Sequence, residues 1–187
     1  MKLEHFIASQ GSSCLTLDIG CGGSPYSSLF PNRIGVDLQK YQNISILADA
    51  HALPFRNGAF EIVLACEVLE HLKEPKQAIA EMERVLKPRG RLVLTTAFIF
   101  PLHDAPDDYY RYTKYGLRYL LRGWKILEIK EATSTMESIA VLIQRIAFQC
   151  DLRFKPLKLF LHLTAHLVAR CNFIIKREYG SAKASHR

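Results

Sequence analysis

Leu15-Thr16-Leu17-Asp18-Ile19-Gly20-Cys21-Gly22-Gly23 is the stretch whose reading decides the fold. Before Gly20 it is apolar apart from Thr16 and one carboxylate, which is the make-up of a short buried strand. Gly20, Gly22 and Gly23 then allow a tight turn and let backbone approach a ligand without side-chain obstruction. A strand that runs into a glycine-rich turn is the usual opening of a nucleotide or cofactor site at the carboxyl edge of a parallel sheet.

Outward from this point the chain alternates. Arg33–Leu38 reads as a second strand and Ser45–Asp49 as a third, each ending in or beside an acid. Ala59–Cys66 is a dense apolar run broken only by Glu61, the fourth strand, and Arg91–Thr96 is the fifth. Leu69–Leu72 begins a turn, and Pro75 suits the first turn of a helix. In that helix Ala78, Ile79, Met82, Val85 and Leu86 recur at three- and four-residue spacing, and Pro88-Arg89-Gly90 ends it. Only Gly20–Asn32, holding Pro25 and Pro31, separates the first two strands. An ordinary crossover helix needs about a dozen residues, so this connection must be short or irregular. Phe98–Thr113 reads as a loop, Lys114–Arg122 as a helix ended by Gly123, and Trp124–Lys130 as a strand. The expected fold is α/β, a Rossmann-like, mostly parallel sheet with helices on both faces, followed by apolar and basic C-terminal helices.

The C-terminal region changes character. Met136, Ile139, Ala140, Ile143, Ile146, Ala147 and Cys150 mark one helix face, and Leu157, Phe160, Leu161, Thr164, Val168 and Cys171 another. Val141, Leu142, Phe148, Leu159 and Leu163 fall off those faces, so both helices are apolar over a wide arc. Such helices are buried between layers or lie on something apolar. Phe173–Lys176 is a candidate last strand, and Gly180–Arg187, small and polar, reads as a frayed tail. At the other end, Met1–Ser13 holds one half-turn and a polar link. A chain of 187 residues suits a single domain, 1–187, with a core over 14–132 and a helical extension over 133–187.

Charge is uneven: residues 1–110 carry net −3 and residues 111–187 net +10. A basic C-terminal half suits an anionic partner, lipid headgroups or nucleic acid, or simply a solvated surface. The five cysteines are scattered, with no CxxC pair and no zinc-finger spacing, which fits a reducing compartment and plain packing. Met1–Gln10 has neither the basic nor the long apolar run of a signal peptide, and no 18-residue stretch is apolar enough to span a membrane. The expected location is cytoplasmic, with peripheral membrane contact through the basic half.

Asp18, Asp37 and Asp49 lie in or at the ends of successive strands, which in a parallel sheet share one edge. Asp37 falls 17 residues past Gly20, where a carboxylate can accept both hydroxyls of a ribose. Asp49 can accept from a ring amino group, and Asp18 can meet a cationic part of the ligand. A GxGxxG fingerprint from Gly20 would need glycine where Pro25 stands, and no GK[ST] follows, so nicotinamide and P-loop readings fail. A ligand with adenosine but no pyrophosphate fits better.

Several segments, in order, carry a resemblance to a known family. Leu17-Asp18-Ile19-Gly20-Cys21-Gly22 resembles motif I of class I S-adenosylmethionine-dependent methyltransferases, of the type 11 kind. Ile34-Gly35-Val36-Asp37 resembles their acidic-loop motif, and Ala48-Asp49-Ala50-His51-Ala52-Leu53-Pro54-Phe55 their adenine-side motif. Phe60-Glu61-Ile62-Val63 with Glu67-Val68-Leu69-Glu70-His71-Leu72 is similar to their fourth-strand region, and Leu86-Lys87-Pro88-Arg89-Gly90-Arg91-Leu92 to the loop before strand five. His103–Leu121 also resembles a segment of small-molecule and glycan-associated members. The resemblance implies S-adenosylmethionine as cofactor. It implies Gly20 and Gly22 along the methionine portion with Asp18 beneath, Asp37 on the ribose, and Asp49 and Ala50 at adenine. Cys66 and Glu67 would border the methionine or substrate side. The chain departs from the family in its short first crossover and in lacking a longer N-terminal lid helix.

Methyl transfer from a sulfonium depends mostly on in-line positioning. A base is needed only for a hydroxyl or poorly ionised amine acceptor, and His103, Asp104 or Tyr109, in the loop past strand five, could then serve. His71 reads instead as structural, at a helix start, and Cys66 reads equally as packing. Tyr109–Tyr112 could stack a ring substrate or fill a lid. Asp107 and Asp108 leave a metal option open, but no metal site is assigned. The acceptor expected is a small molecule, a glycan or a lipid-linked group. RNA or protein methylation is the alternative, although no RNA-binding module stands beside the core. A non-enzymatic partner subunit using the fold as a scaffold is a third reading.

Overall fold

The computed structural model describes residues 3–23, 25–41, 44–130, 132–149, 155–170 and 181–185. Helix α1 (Leu3–Ala8) precedes β1 (Thr16–Ile19), β2 (Arg33–Asp37), β3 (Ile46–Leu47) and β4 (Phe60–Cys66). Helix α2 (Pro75–Val85) leads directly into β5 (Leu86–Thr95), then come α3 (Lys114–Leu120), β6 (Lys125–Lys130), α4 (Thr135–Gln149), α5 (Lys155–Arg170) and β7 (Ser181–Ser185). The seven strands form one sheet in the order β3-β2-β1-β4-β5-β7-β6. β1 to β5 run parallel, and β7 pairs antiparallel with both β5 and β6.

The strand order reverses direction at β1, whose neighbours are β2 and β4. At such a switch point the loops leaving the carboxyl ends diverge and open a crevice, which is where ligands bind in open α/β sheets. The glycine turn follows β1 directly and the Cys66–Glu67 segment ends β4, so both stand at that crevice.

The two-residue period of the strands divides the core between the sheet's faces. From β4, Val63 and Ala65 join Leu92 and Leu94 of β5 in a cluster with Ala78, Ile79, Met82 and Val85 of α2. Ile62, Leu64 and Val93 point the other way, into a smaller cluster with Phe6, Ile7 and Phe30. Helix α2 forms because its apolar residues fall on one stripe and Pro75 starts it, as read from the sequence. The acid that breaks β4 is also explained: Glu61 Oε2 accepts from the Leu15 N–H at 2.8 Å, while Oε1 takes the Lys87 ammonium at 2.8 Å.

Three expectations need correction. Ser181–Ser185, read as a frayed tail, is an internal strand whose backbone bonds on both sides. Ser-Ala-Lys-Ala-Ser has low strand propensity, and here sheet pairing outweighs it. The N-terminal half-turn is a six-residue helix with Phe6 and Ile7 buried. Strand β5 begins at Leu86, so Pro88-Arg89-Gly90 lies within an irregular strand, with Arg89 at φ 66°. The first crossover is short as expected, a single turn of 3-10 helix at Ser27–Leu29. The candidate strand Phe173–Lys176 lies outside the described residues. No helix of the described residues is long and apolar enough to cross a membrane.

Candidate active site

The glycine turn takes the conformation its composition permits. Gly20 and Gly22 have φ of +63° and +47°, in the left-handed region. A Cβ at Gly20 would stand 2.3 Å from Val68 Cγ2, so the turn is packed against the segment leaving β4. Gly22 and Gly23 face open space instead, with no atom within 4 Å of an added Cβ. The Asp37 carboxylate closes one side of that space: its Oδ2 accepts from the Gly22 N–H at 2.9 Å and its Oδ1 from the Gln39 N–H at 3.0 Å. Asp37 and the glycines therefore share one edge of the sheet. Each carboxylate oxygen retains a free lone pair for a ligand.

Asp18 is buried beneath the turn and meets a cation of the chain itself, with Arg33 Nη1 3.2 Å from its Oδ2. The guanidinium lies over Gly35, where a Cβ would be 2.6 Å from Nη1 and 2.9 Å from Cys21 Sγ. Burial, with the Asp18 and Asp37 charges, raises the Cys21 thiol above its usual pKa and keeps it protonated.

Asp49 and the buried Ala50 follow β3 on the same edge. Asp49 Oδ1 accepts from the His51 N–H at 2.8 Å and from His51 Nδ1 at 2.6 Å. Burial pushes this carboxyl up, but the two bonds from His51 outweigh it and hold it below its ordinary value. His51 Nε2 in turn accepts from the Glu74 N–H at 3.2 Å. His51 thus bridges the Asp49 loop to the start of α2, where no side chain of the helix caps it. Arg84 adds a latch from the same helix, donating to the carbonyls of Leu53 and Phe55 at 2.9 and 2.6 Å.

On the other side of the crevice lies a cavity of about 820 Å³, whose lining includes Glu4, Tyr26, Glu67, Thr96, Tyr112 and Glu137. Its wall draws on α1, the ends of β4 and β5, and α4. Glu67 holds φ 53°, unusual for a residue with a side chain, and its N–H bonds the Thr95 carbonyl at 3.0 Å. Burial first, then the neighbouring Glu70 carboxyl, push Glu67 up to about 7. Cys66 is raised chiefly by burial, so it is a protonated thiol.

His103, Asp104 and Tyr109 belong to a separate cluster at the rim, and none of them lines the cavity. Buried Asp108 organises this loop: it accepts both Arg111 guanidinium nitrogens, at 2.5 and 2.8 Å, and the His103 N–H at 2.9 Å. The Arg111 bonds hold its carboxyl well below the usual range. The Tyr109 hydroxyl donates to Asp107 at 2.8 Å. Sequence reasoning does not single out His51, Arg84 or Tyr26. His51 stands two residues past Asp49, and that Asp-x-His spacing is the available signal.

The family model described as "Methyltransferase domain" matches residues 17–94, the span from β1 through β5 that builds this edge. Over that span, under half of its length, the chain is similar to methyltransferase domains. A relative in Arabidopsis thaliana, a tRNA (carboxymethyluridine(34)-5-O)-methyltransferase, is 34% identical over 108 residues, 50% of this chain and 26% of that protein. The chain thus spans about a quarter of that relative's length. Two solved structures share the fold. The [4+2]-cyclase SpnF superposes with a TM-score of 0.66 at 19% identity, covering 97% of this chain and 79% of the other. The 1,6-didemethyltoxoflavin-N1-methyltransferase of Burkholderia thailandensis, solved with its toxoflavin precursor and S-adenosylhomocysteine, superposes with a TM-score of 0.64 at 14% identity. It covers 98% of this chain and 75% of the other.

Proposed function

We propose that this chain is a class I S-adenosylmethionine-dependent methyltransferase and transfers a methyl group to a small-molecule, glycan or lipid-linked acceptor. The observation that carries the reading is the Asp37 carboxylate, bonded to Gly22 and facing the open space over Gly22 and Gly23. The donor set fits the cofactor: a carboxylate for the ribose hydroxyls, room at the glycine backbone for the methionine portion, and Asp49 with Ala50 for adenine. When bound, the cofactor supplies an activated methyl on sulfur. The chain's own residues bind, orient and exclude water. Cys66 and Glu67 stand between the cofactor side and the cavity, and the cavity is the acceptor's place. Three carboxylates, from Glu4, Glu67 and Glu137, reach its lining, which disfavours a phosphate backbone there and favours a compact, neutral or cationic acceptor. His103, Asp104 and Tyr109 act from the rim on the acceptor.

The acceptor is delivered from an anionic membrane surface. Leu159, Phe160, Leu163 and Leu167 of α5 are each at least 60% exposed, on a helix that also carries Lys155, Lys158 and Arg170. An apolar face flanked by cations suits the headgroup boundary. The test is transfer of labelled methyl from S-adenosylmethionine to candidate acceptors, with and without vesicles holding anionic lipid. Labelling of small or lipid-linked acceptors is expected. Labelling of RNA alone, with salt-sensitive RNA binding, would overturn the reading.

A further inference from the structure

Glu70, His71 and His103 bring one ligand-capable atom each within 4.8 Å of one another, at the rim beside the cavity. The two imidazoles come from different segments, one after β4 and one from the loop after β5, so their meeting is a product of the fold. Each ring has its Nδ1 engaged by acceptors. His71 Nδ1 lies 2.6 Å from the Asp107 carbonyl, and His103 Nδ1 lies 3.2 Å from both the Pro101 carbonyl and Asp108 Oδ2. An acceptor at Nδ1 holds a ring proton there, so Nε2 is the nitrogen each ring offers to a cation. Metal-bound histidines carry this pattern, with the second nitrogen donating to a carbonyl or carboxylate.

The carboxylate agrees. Glu70 is fully buried and held by the Thr96 hydroxyl on Oε2 at 2.7 Å and by the Ala97 N–H on Oε1 at 3.3 Å. Those donors orient it, and the neighbouring Glu67 carboxyl also bonds to it. Asp104 Oδ2, on an exposed side chain, stands 4.0 Å from His71 Nε2 and outside the cluster. With bonds of about 2.1 Å, two ligands of one ion are separated by roughly 3–4 Å, so the three ligand atoms need draw together by only about an ångström to share a cation.

We propose that Glu70, His71 and His103 bind a divalent first-row transition ion such as Zn²⁺ or Mn²⁺. Two imidazole nitrogens and one carboxylate oxygen are a borderline donor set, suited to these ions more than to Mg²⁺ or Ca²⁺. Thr96, which braces Glu70, lines the cavity, so an open coordination position would face the acceptor and take one of its oxygens. That last step rests on the methyltransferase reading; the binding of the ion does not.

The experiment uses the full chain, stripped with a chelator and titrated with Zn²⁺, then with Co²⁺ followed by visible absorption. One stoichiometric site is expected, with a Co²⁺ band of nitrogen and oxygen coordination. His71→Gln and His103→Gln should each weaken the ion at least about tenfold while keeping the melting temperature. Helix α5 offers a competing pair, His162 and His166, with ring centroids 5.6 Å apart. Replacing both with alanine should leave the tight site intact. Absence of stoichiometric binding, or loss of it in the His162/His166 variant alone, overturns the proposal. S-adenosylhomocysteine affinity, measured without metal, tests the cofactor reading separately.

Discussion

Replacing Asp37 with alanine tests the cofactor site at its centre. In the structure each oxygen of this carboxylate takes one backbone donor, Gly22 N–H at 2.9 Å and Gln39 N–H at 3.0 Å. One lone pair per oxygen is left, enough for the two hydroxyls of a ribose. A hydrogen bond to a charged group contributes about 1.5–3 kcal/mol, so two give about 3–6 kcal/mol. Asp37 is only partly buried, and water refills its place in the variant, which argues for the low end, about 3 kcal/mol. At about 1.4 kcal/mol per decade, the dissociation constant for S-adenosylhomocysteine should rise about 150-fold. Asp37→Asn keeps one acceptor oxygen and should lose about tenfold, near one decade on the same scale. Calorimetric titration measures both, with a thermal melt of the ligand-free proteins to separate binding from folding. An alanine variant that folds normally and binds within about threefold of the parent would refute the reasoning, as would a parent that binds nothing.

Other outcomes follow from the scaffold. Arg33→Met removes the guanidinium from the buried Asp18 carboxylate and should cost about 3 kcal/mol, read from the urea midpoint. Glu81 is held below its ordinary pKa, first by the Arg84 hydrogen bonds and also by the Leu53 N–H. A depressed folded value gives stability that is full above the unfolded value near 4.3 and is lost as pH falls through the folded one. Glu81→Gln should therefore melt lower than the parent at pH 7, and the gap should close as the pH is lowered below about 4. Ala184→Pro removes a donor from a strand paired on both sides, opposite Leu92 and Ile126. It should destabilise by about 2–4 kcal/mol in the same denaturation assay, and an unchanged midpoint would mean that β7 is not part of the stable sheet.

What could be read from the sequence was what depends on local pattern. The first five strands show themselves as short apolar runs, the first four ending at a glycine or an acid. The edge shared by Gly20, Gly22 and Asp37 then followed from parallel topology, and the Gly22–Asp37 bond agrees with it. Side-chain clamps left no such trace. Arg84 looks like any exposed helix cation, yet it holds the Leu53–Asn57 loop, because its direction is set by a turn that lies 27 residues or more away along the chain. The pairing of His71 with His103 was invisible for the same reason: loop closure, with the Tyr109 and Tyr110 N–H groups on the Glu70 carbonyl, creates it. Strand β7 was missed because its pairing partners, not its own residues, make it a strand.

The short first crossover has a structural answer that ties fold to specificity. A single 3-10 turn leaves the sheet face under β4 and β5 without a helix between β1 and β2. Phe30, just past that turn, and Phe6 and Ile7 of α1 cover it instead, packed on Ile62, Leu64 and Val93. Arg91 Nη2, donating to the Gln10 carbonyl at 3.0 Å, pins the end of this cover to β5. The same helix carries Leu3 and Glu4 into the cavity wall next to Tyr26. Where the connection between β1 and β2 is short, α1 therefore both covers the sheet and walls the cavity proposed for the acceptor.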